Sequence, residues 1–161
     1  MKALVVYYSR TGNTKKVAWA IAEALKGKAE VTVEELVDTK SRQGILGWFR
    51  AGGDASLKRA VPIRPVQAHV AGFDLVVVGT PVWAFTMASA VRSFLVEHGA
   101  NMQRSAFFCT MGGSGAKGAF AAMEQVSGKV PVATLVITEK QLRDEKTLSE
   151  KAKTFAAALN P

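Results

Sequence analysis

Five short runs rich in β-branched and aromatic residues, each separated from the next by a segment of helical period or by turn residues, constrain this chain more than anything else. Lys2–Tyr8 and Glu30–Leu36 are the first two, Phe73–Gly79 the third, Ser105–Thr110 and Val130–Ile137 the last two. Phe73–Gly79 carries apolar residues at successive positions, which suits a strand covered on both faces in the middle of a parallel sheet. After the first run, Val17, Ala20, Ile21, Ala24 and Leu25 recur at helical spacing. Asn13 or Thr14 is placed to cap that helix and Gly27 to end it. Further helices are expected over Met87–His98, Ala119–Val126 and Thr147–Leu159, the last presenting Leu148, Ala152, Phe155 and Leu159 on one face.

Strands alternating with helices predict an α/β domain whose parallel sheet is covered on both sides. Five strands are too few for a closed (β/α)8 barrel, so a doubly wound open sheet follows. The 161 residues suit one domain spanning 1–161. Val37–Pro65 interrupts the alternation. It holds Gly44, Gly47, Gly52, Gly53 and two prolines, and also Ile45, Leu46, Trp48, Phe49 and Leu57, which are too apolar for a solvated linker. We read about 39–64 as a long excursion after the second strand, with one or two short helices.

The single cysteine, Cys109, excludes an internal disulfide, and neither it nor His69 and His98 suggests a metal site. Cys109 in an apolar strand reads as a small core residue. Lys and Arg number 21 against 13 Asp and Glu, a net charge of +8. These cations are spread along the chain rather than gathered in one arm, which argues against nucleic acid as partner. The uncharged stretch Leu75–Val91 is shorter than the roughly 20 residues of a membrane span and is broken at Gly79-Thr80-Pro81. The start has no signal-peptide pattern, and a cytoplasmic protein is expected.

Open sheets of this kind bind ligands outside the carboxyl ends of their strands, at the switch point. Three loops fall there. Ser9-Arg10-Thr11-Gly12-Asn13-Thr14 follows the first strand and opens a helix, so it offers hydroxyls, an amide side chain and the unpaired N–H groups of a helix start. That is a phosphate cradle, without the Lys spacing of a nucleotide-hydrolysing loop. Pro81-Val82-Trp83-Ala84-Phe85 follows the third strand and puts two aromatics where polar turn residues are usual; such rings form a stacking surface for a flat ligand. It has no Gly, so a positive φ there would carry a steric cost. Thr110-Met111-Gly112-Gly113 follows the fourth strand and lets a ligand approach the backbone closely. Gly113-x-Gly115-x-x-Gly118 matches a dinucleotide fingerprint in spelling, but no acidic residue follows at the distance a ribose contact needs.

Together these three loops resemble the flavodoxin family. Tyr8–Thr14 matches its phosphate loop, Val78–Trp83 the end of its third strand, and Phe107–Gly113 its third flavin loop. The resemblance implies a flavodoxin-like five-stranded parallel sheet in the order 2-1-3-4-5 with helices on both faces. It implies non-covalent FMN, with Ser9, Thr11, Asn13 and Thr14 on the phosphate, and Arg10 and Gly12 in the same loop. The backbones of Pro81, Val82, Trp83, Ala84 and Phe85 and of Thr110, Met111, Gly112 and Gly113 would edge the ring, with Trp83 stacking. No side chain need act as acid or base, because the flavin carries the redox chemistry. Three features depart from the electron-shuttle members: the +8 charge, Met111 where a flanking aromatic is common, and the excursion. They set the chain apart from the electron shuttles and open the reading of a flavin reductase linked to NAD(P)H or a quinone, beside that of an electron carrier with a redox partner protein. The +8 charge and the glycine-free segment Thr80–Thr86, where a peptide flip to positive φ beside the flavin would be costly, favour two-electron transfer. A flavin-free α/β module holding another phosphorylated ligand is the alternative from a different class. The sequence leaves the oligomeric state open.

Overall fold

The computed structural model describes residues 1–39 and 60–159. Ile45, Leu46, Trp48, Phe49 and Leu57, and the short helices expected around them, lie outside the described residues. Five parallel strands form the sheet: β1 (Lys2–Tyr7), β2 (Glu30–Glu35), β3 (Leu75–Trp83), β5 (Ser105–Met111) and β6 (Thr134–Thr138). Their order is β2-β1-β3-β5-β6, so the expected 2-1-3-4-5 arrangement is present. A sixth strand, β4 (Thr86–Met87), pairs antiparallel with the end of β3 and was not anticipated.

Successive residues of the central strands point to opposite sides, and both sides are apolar. Ala3, Val5, Tyr7, Leu75, Val77 and Phe108 face one core. Its cover is α1 (Asn13–Leu25) and, near the end of the chain, a long helix over Glu145–Ala158. Leu4, Val6, Val76, Val78 and Phe107 face the other, covered by α2 (Ser89–His98) and α3 (Ala116–Ser127). A short helix, α4 (Glu139–Leu142), precedes the long one, α5 (Glu145–Ala158). Thr138 caps α4 through a reciprocal box with Gln141. The inward residues expected on α5 (Leu148, Ala152, Phe155 and Leu159) are buried.

Several boundaries move, each for a local reason. Neither Asn13 nor Thr14 caps α1; the N-cap is Gly12, at φ 92°, a conformation open to glycine without cost. The capping acceptor comes from further back: Ser9 Oγ accepts from the N–H of Gly12 (3.1 Å) and of Lys15 (3.2 Å). The segment after Gly79 is strand rather than loop, because Thr80 and Pro81 stay in register with Cys109 and Thr110 of β5 while Val82 and Trp83 pair with β4. α3 begins at Ala116, three residues earlier than the apolar pattern suggested, with Gly115 at φ 103° as its N-cap. β6 starts at Thr134 instead of Val130; Pro131 has no N–H to give a ladder, and Val130 is 81% exposed.

The two ends of the excursion meet. Asp38 bridges Ile63 antiparallel, Thr39 N–H donates to Pro62 O at 3.1 Å and Arg64 N–H to Val37 O at 2.8 Å. Ser93 on α2 fixes the returning chain, accepting from Val61 N–H (2.8 Å) and donating to Val61 O (2.6 Å). Its departure follows the carboxyl end of β2, on the side of the sheet where the three loops lie.

Candidate functional site

The carboxyl ends of β1, β3 and β5 open onto one cleft of about 260 Å³. Arg10, Thr11, Asn13 and Thr14 line it from the first loop, Pro81, Val82 and Trp83 from β3, and Thr110, Met111 and Gly112 from β5. Ser9, Gly12, Ala84, Phe85 and Gly113 stand outside that lining. Ser9 is spent on pinning its own loop, and Gly12 supplies the turn. Glu139, at the start of α4, also lines the cleft and was not foreseen. The only sequence cue for it was the capping pattern that begins at Thr138, directly after the last strand.

One end of the cleft is a donor cluster. The first turn of α1 takes no side-chain cap from its N-cap residue, and the helix adds partial positive charge there. Thr14 Oγ1 and Thr110 Oγ1 are 2.8 Å apart and buried, which locks the first loop to the third across the sheet. The nearby lysines are engaged elsewhere. Lys15 Nζ sits 3.2 Å from Glu35 Oε2, and Lys16 Nζ donates to Leu142 O at 3.1 Å. Tyr7 donates to the same Glu35 carboxylate at 3.1 Å, and burial together with that charge pushes its phenol well above the usual range. An anion at this end would therefore meet amides, hydroxyls and the Arg10 side chain rather than a lysine.

The other end is flat and aromatic. Trp83 packs edge-on against Tyr8, ring centroids 5.6 Å apart and planes at 84°, which fixes the indole where it borders the cleft. A side chain at Gly112 or Gly113 would touch nothing within 4 Å, so the third loop is open toward the space in front of it. Beyond Trp83 the chain reverses through Ala84 (φ 48°) and Phe85 (φ 61°) into β4. Positive φ at both central residues is the geometry of a tight hairpin turn, usually made by Asn-Gly. The steric cost expected of a positive φ in this glycine-free segment is therefore present in the turn itself. α3 holds the turn in place: a Cβ on Gly118 would come within 2.4 Å of Phe85 O, and one on Gly115 within 2.7 Å of Val82 Cγ1. The fingerprint-like glycines serve this close packing. Phe85 itself is 70% exposed at the tip.

Residues 4–52 match the model of the flavodoxin domain. Over those residues the chain is similar to the flavodoxin family. This flavodoxin-like chain superposes on a flavoprotein from Lactobacillus acidophilus NCFM solved in complex with FMN, with a TM-score of 0.73 and 20% identity over 94% of this chain and 99% of that one. It also superposes on oxidised flavodoxin 2 from Bacillus cereus, with a TM-score of 0.63 and 19% identity over 98% and 97%. At those identities the likeness speaks for the fold. A relative from Brucella anthropi, named NAD(P)H dehydrogenase (quinone), is 32% identical over 116 residues, which are 70% of this chain and 54% of that protein. The chain thus spans about half the length of that curated relative. No helix among the described residues is long and apolar enough to cross a membrane, and no group of three or more His, Cys, Asp or Glu among them could hold a metal.

Proposed function

We propose that the cleft binds FMN non-covalently and that the protein moves electrons or hydride through it. One observation carries this reading: a donor-rich helix start and an aromatic-edged slot open onto the same cleft. The residues present fit the group. A dianionic phosphate complements the first turn of α1 with Thr11, Asn13 and Thr14 around it. A flat ring system fits between the Pro81–Trp83 edge and the Thr110–Gly113 backbone. The cleft volume is near the lower end of the roughly 300–1,000 Å³ usual for small-molecule sites, in keeping with a cofactor that leaves part of itself in solvent. Bound FMN supplies one- and two-electron redox chemistry. The chain's own residues bind and orient: amides and hydroxyls hold the phosphate, Tyr8 steadies Trp83, and the Thr14–Thr110 pair keeps the two loops at one spacing.

The name of the Brucella relative and the basic charge support a finer reading, in which NAD(P)H or a quinone exchanges electrons with the cofactor. A net +8 draws anionic reductants toward the surface. The test begins with the purified full chain, which should be yellow or take up FMN stoichiometrically. Riboflavin should bind far more weakly than FMN. Thr11→Ala and Asn13→Ala should each cost about 1.5–3 kcal/mol of FMN affinity, the worth of a charge-assisted hydrogen bond. Equal affinity for FMN and riboflavin would remove the phosphate assignment, and a chain that binds no flavin would favour a module for another phosphorylated ligand. An anaerobic titration with NADH, NADPH and a quinol then separates the reductase from the carrier.

A further inference from the structure

The start of α2 gathers three buried side-chain groups with no hydrogen-bond partner. No side chain caps its first turn, since the N-cap residue is Ala88. Ala88, Ser89, Ala90 and Val91 are all buried, so water does not replace the missing cap. Ser89 Oγ is buried without a hydrogen-bond partner, and so is Thr86 Oγ1, which enters from β4 just before the helix. One turn beyond Ser89 stands Arg92, only 9% exposed, its Nη2 also without a partner. Among the described residues no carboxylate forms an ion pair with it. Burial with no compensating charge holds the Arg92 pKa below its ordinary value. Side chains on a helix lean toward its N-terminus, which from Arg92 is the direction of Ser89.

Amides and a guanidinium only donate, and hydroxyls can do so, so the group that complements this set is an acceptor with several lone pairs and negative charge. A buried, unpaired cation is among the costliest arrangements in a folded chain, and adding the anion removes that cost. We propose that the start of α2 is an oxyanion site, formed by Thr86, Ser89, Arg92 and the first-turn amides, which takes the carboxylate or phosphate of a second ligand. None of these residues lines the cleft described above. The two places are nonetheless joined: Thr86 pairs with Trp83 across the hairpin, and Ala88 N–H donates to Thr80 Oγ1 at 2.9 Å.

The site is independent of FMN binding, and its test reads it separately. The ¹⁵N-labelled full chain is titrated with inorganic phosphate and, in a second series, with acetate, at constant ionic strength. The amides of Ala90 and Val91 should shift saturably with one or both anions, phosphate acting more strongly if the ligand is a phosphate and acetate if it is a carboxylate. Arg92→Met should fold, because it removes an unpaired buried charge, and should weaken that response at least tenfold. Ser89→Ala, a smaller change, should weaken it several-fold and serves where the Arg92 variant yields no folded protein. No saturable shift at Ala90 and Val91, or the same shift in both variants, means an adventitious ion only and overturns the proposal. Shifts confined to Asn13 and Thr14 would report the cleft alone and would also overturn it.

Discussion

Ala84→Gly should stabilise this protein, although glycine usually weakens a strand-rich region. Ala84 sits at φ 48° on the exposed tip of the β3–β4 turn. A left-handed conformation costs an L-residue about 1–2 kcal/mol, and glycine escapes that cost. Against this, glycine adds unfolded-state freedom worth roughly 0.4–1 kcal/mol. The difference leaves a net gain of about 0.5–1 kcal/mol. At the 2–4 °C per kcal/mol usual for a chain of this size, Tm should rise by about 1–4 °C. Urea unfolding measures it cleanly: the midpoint should move up while the slope m stays fixed, since the surface exposed on unfolding hardly changes. Ala84→Val should act in the opposite sense and by more, because a β-branched residue tolerates positive φ worst. A midpoint lowered by Ala84→Gly at constant m would refute the reasoning and mean that the methyl group makes a contact worth more than the backbone strain.

Gly118→Ala should cost about 1–3 kcal/mol, because its Cβ would meet the Phe85 carbonyl at 2.4 Å, and amide shifts should report a displaced hairpin. Ser93→Ala leaves Val61 N–H and O without their partner at 2.8 and 2.6 Å; equilibrium unfolding should show a loss of about 1–3 kcal/mol, and proteolysis should cut the 39–64 excursion faster. Burial pushes the Cys109 thiol up to about 12. The unfolded thiol ionises first, so this group's stability contribution is complete below about pH 9 and declines from there toward pH 12; Cys109→Val should flatten that part of the pH–stability profile. Trp83→Ala should brighten the fluorescence of bound FMN while Trp19→Ala, exposed on α1, leaves it unchanged.

The sheet was legible because both its faces are buried, so each strand wrote a run of apolar residues that no other element of this length would need. Val76, Val77 and Val78 are all fully buried, on alternating sides. The position of the cleft followed from topology alone, since parallel strands bring their following loops to one end. What escaped detection depended on partners distant in sequence. The capping hydroxyl of α1 belongs to Ser9, which looks like a ligand contact when read locally but is turned back onto Gly12 and Lys15. Glu139 lines the cleft because α4 starts directly after β6, beside β5; the strand order was expected, but no motif in the sequence marked the residue after the last strand as part of the site. The hairpin was invisible because Ala84-Phe85 violates the usual turn chemistry. The residues that make it tenable, Gly115 and Gly118, stand thirty positions later and spell a different motif.

That hairpin also changes the argument about electron number. The absence of glycine from Thr80–Thr86 had suggested that the peptide beside the ring could not reach positive φ, which disfavours a one-electron carrier. Ala84 and Phe85 are already there, so the steric part of that argument falls. The charge part weakens as well. Arg10 and Glu139 line the cleft with opposite signs, Lys15 is 3.2 Å from Glu35, and Lys16 is 3.6 Å from Glu145. The charges closest to the cleft nearly balance, and much of the net +8 is carried by residues farther away. Exposed charges beyond the roughly 8 Å of a physiological Debye length act little on a buried ring but still steer a diffusing partner. Under the function proposed above, the basic surface serves encounter with an anionic reductant or an acidic protein rather than the potential of the cofactor. Raising salt from low to physiological concentration should slow reduction by NADPH or by an acidic protein donor and leave the midpoint potential nearly unmoved; a potential that follows salt as steeply as the rate does would place those cations at the ring after all.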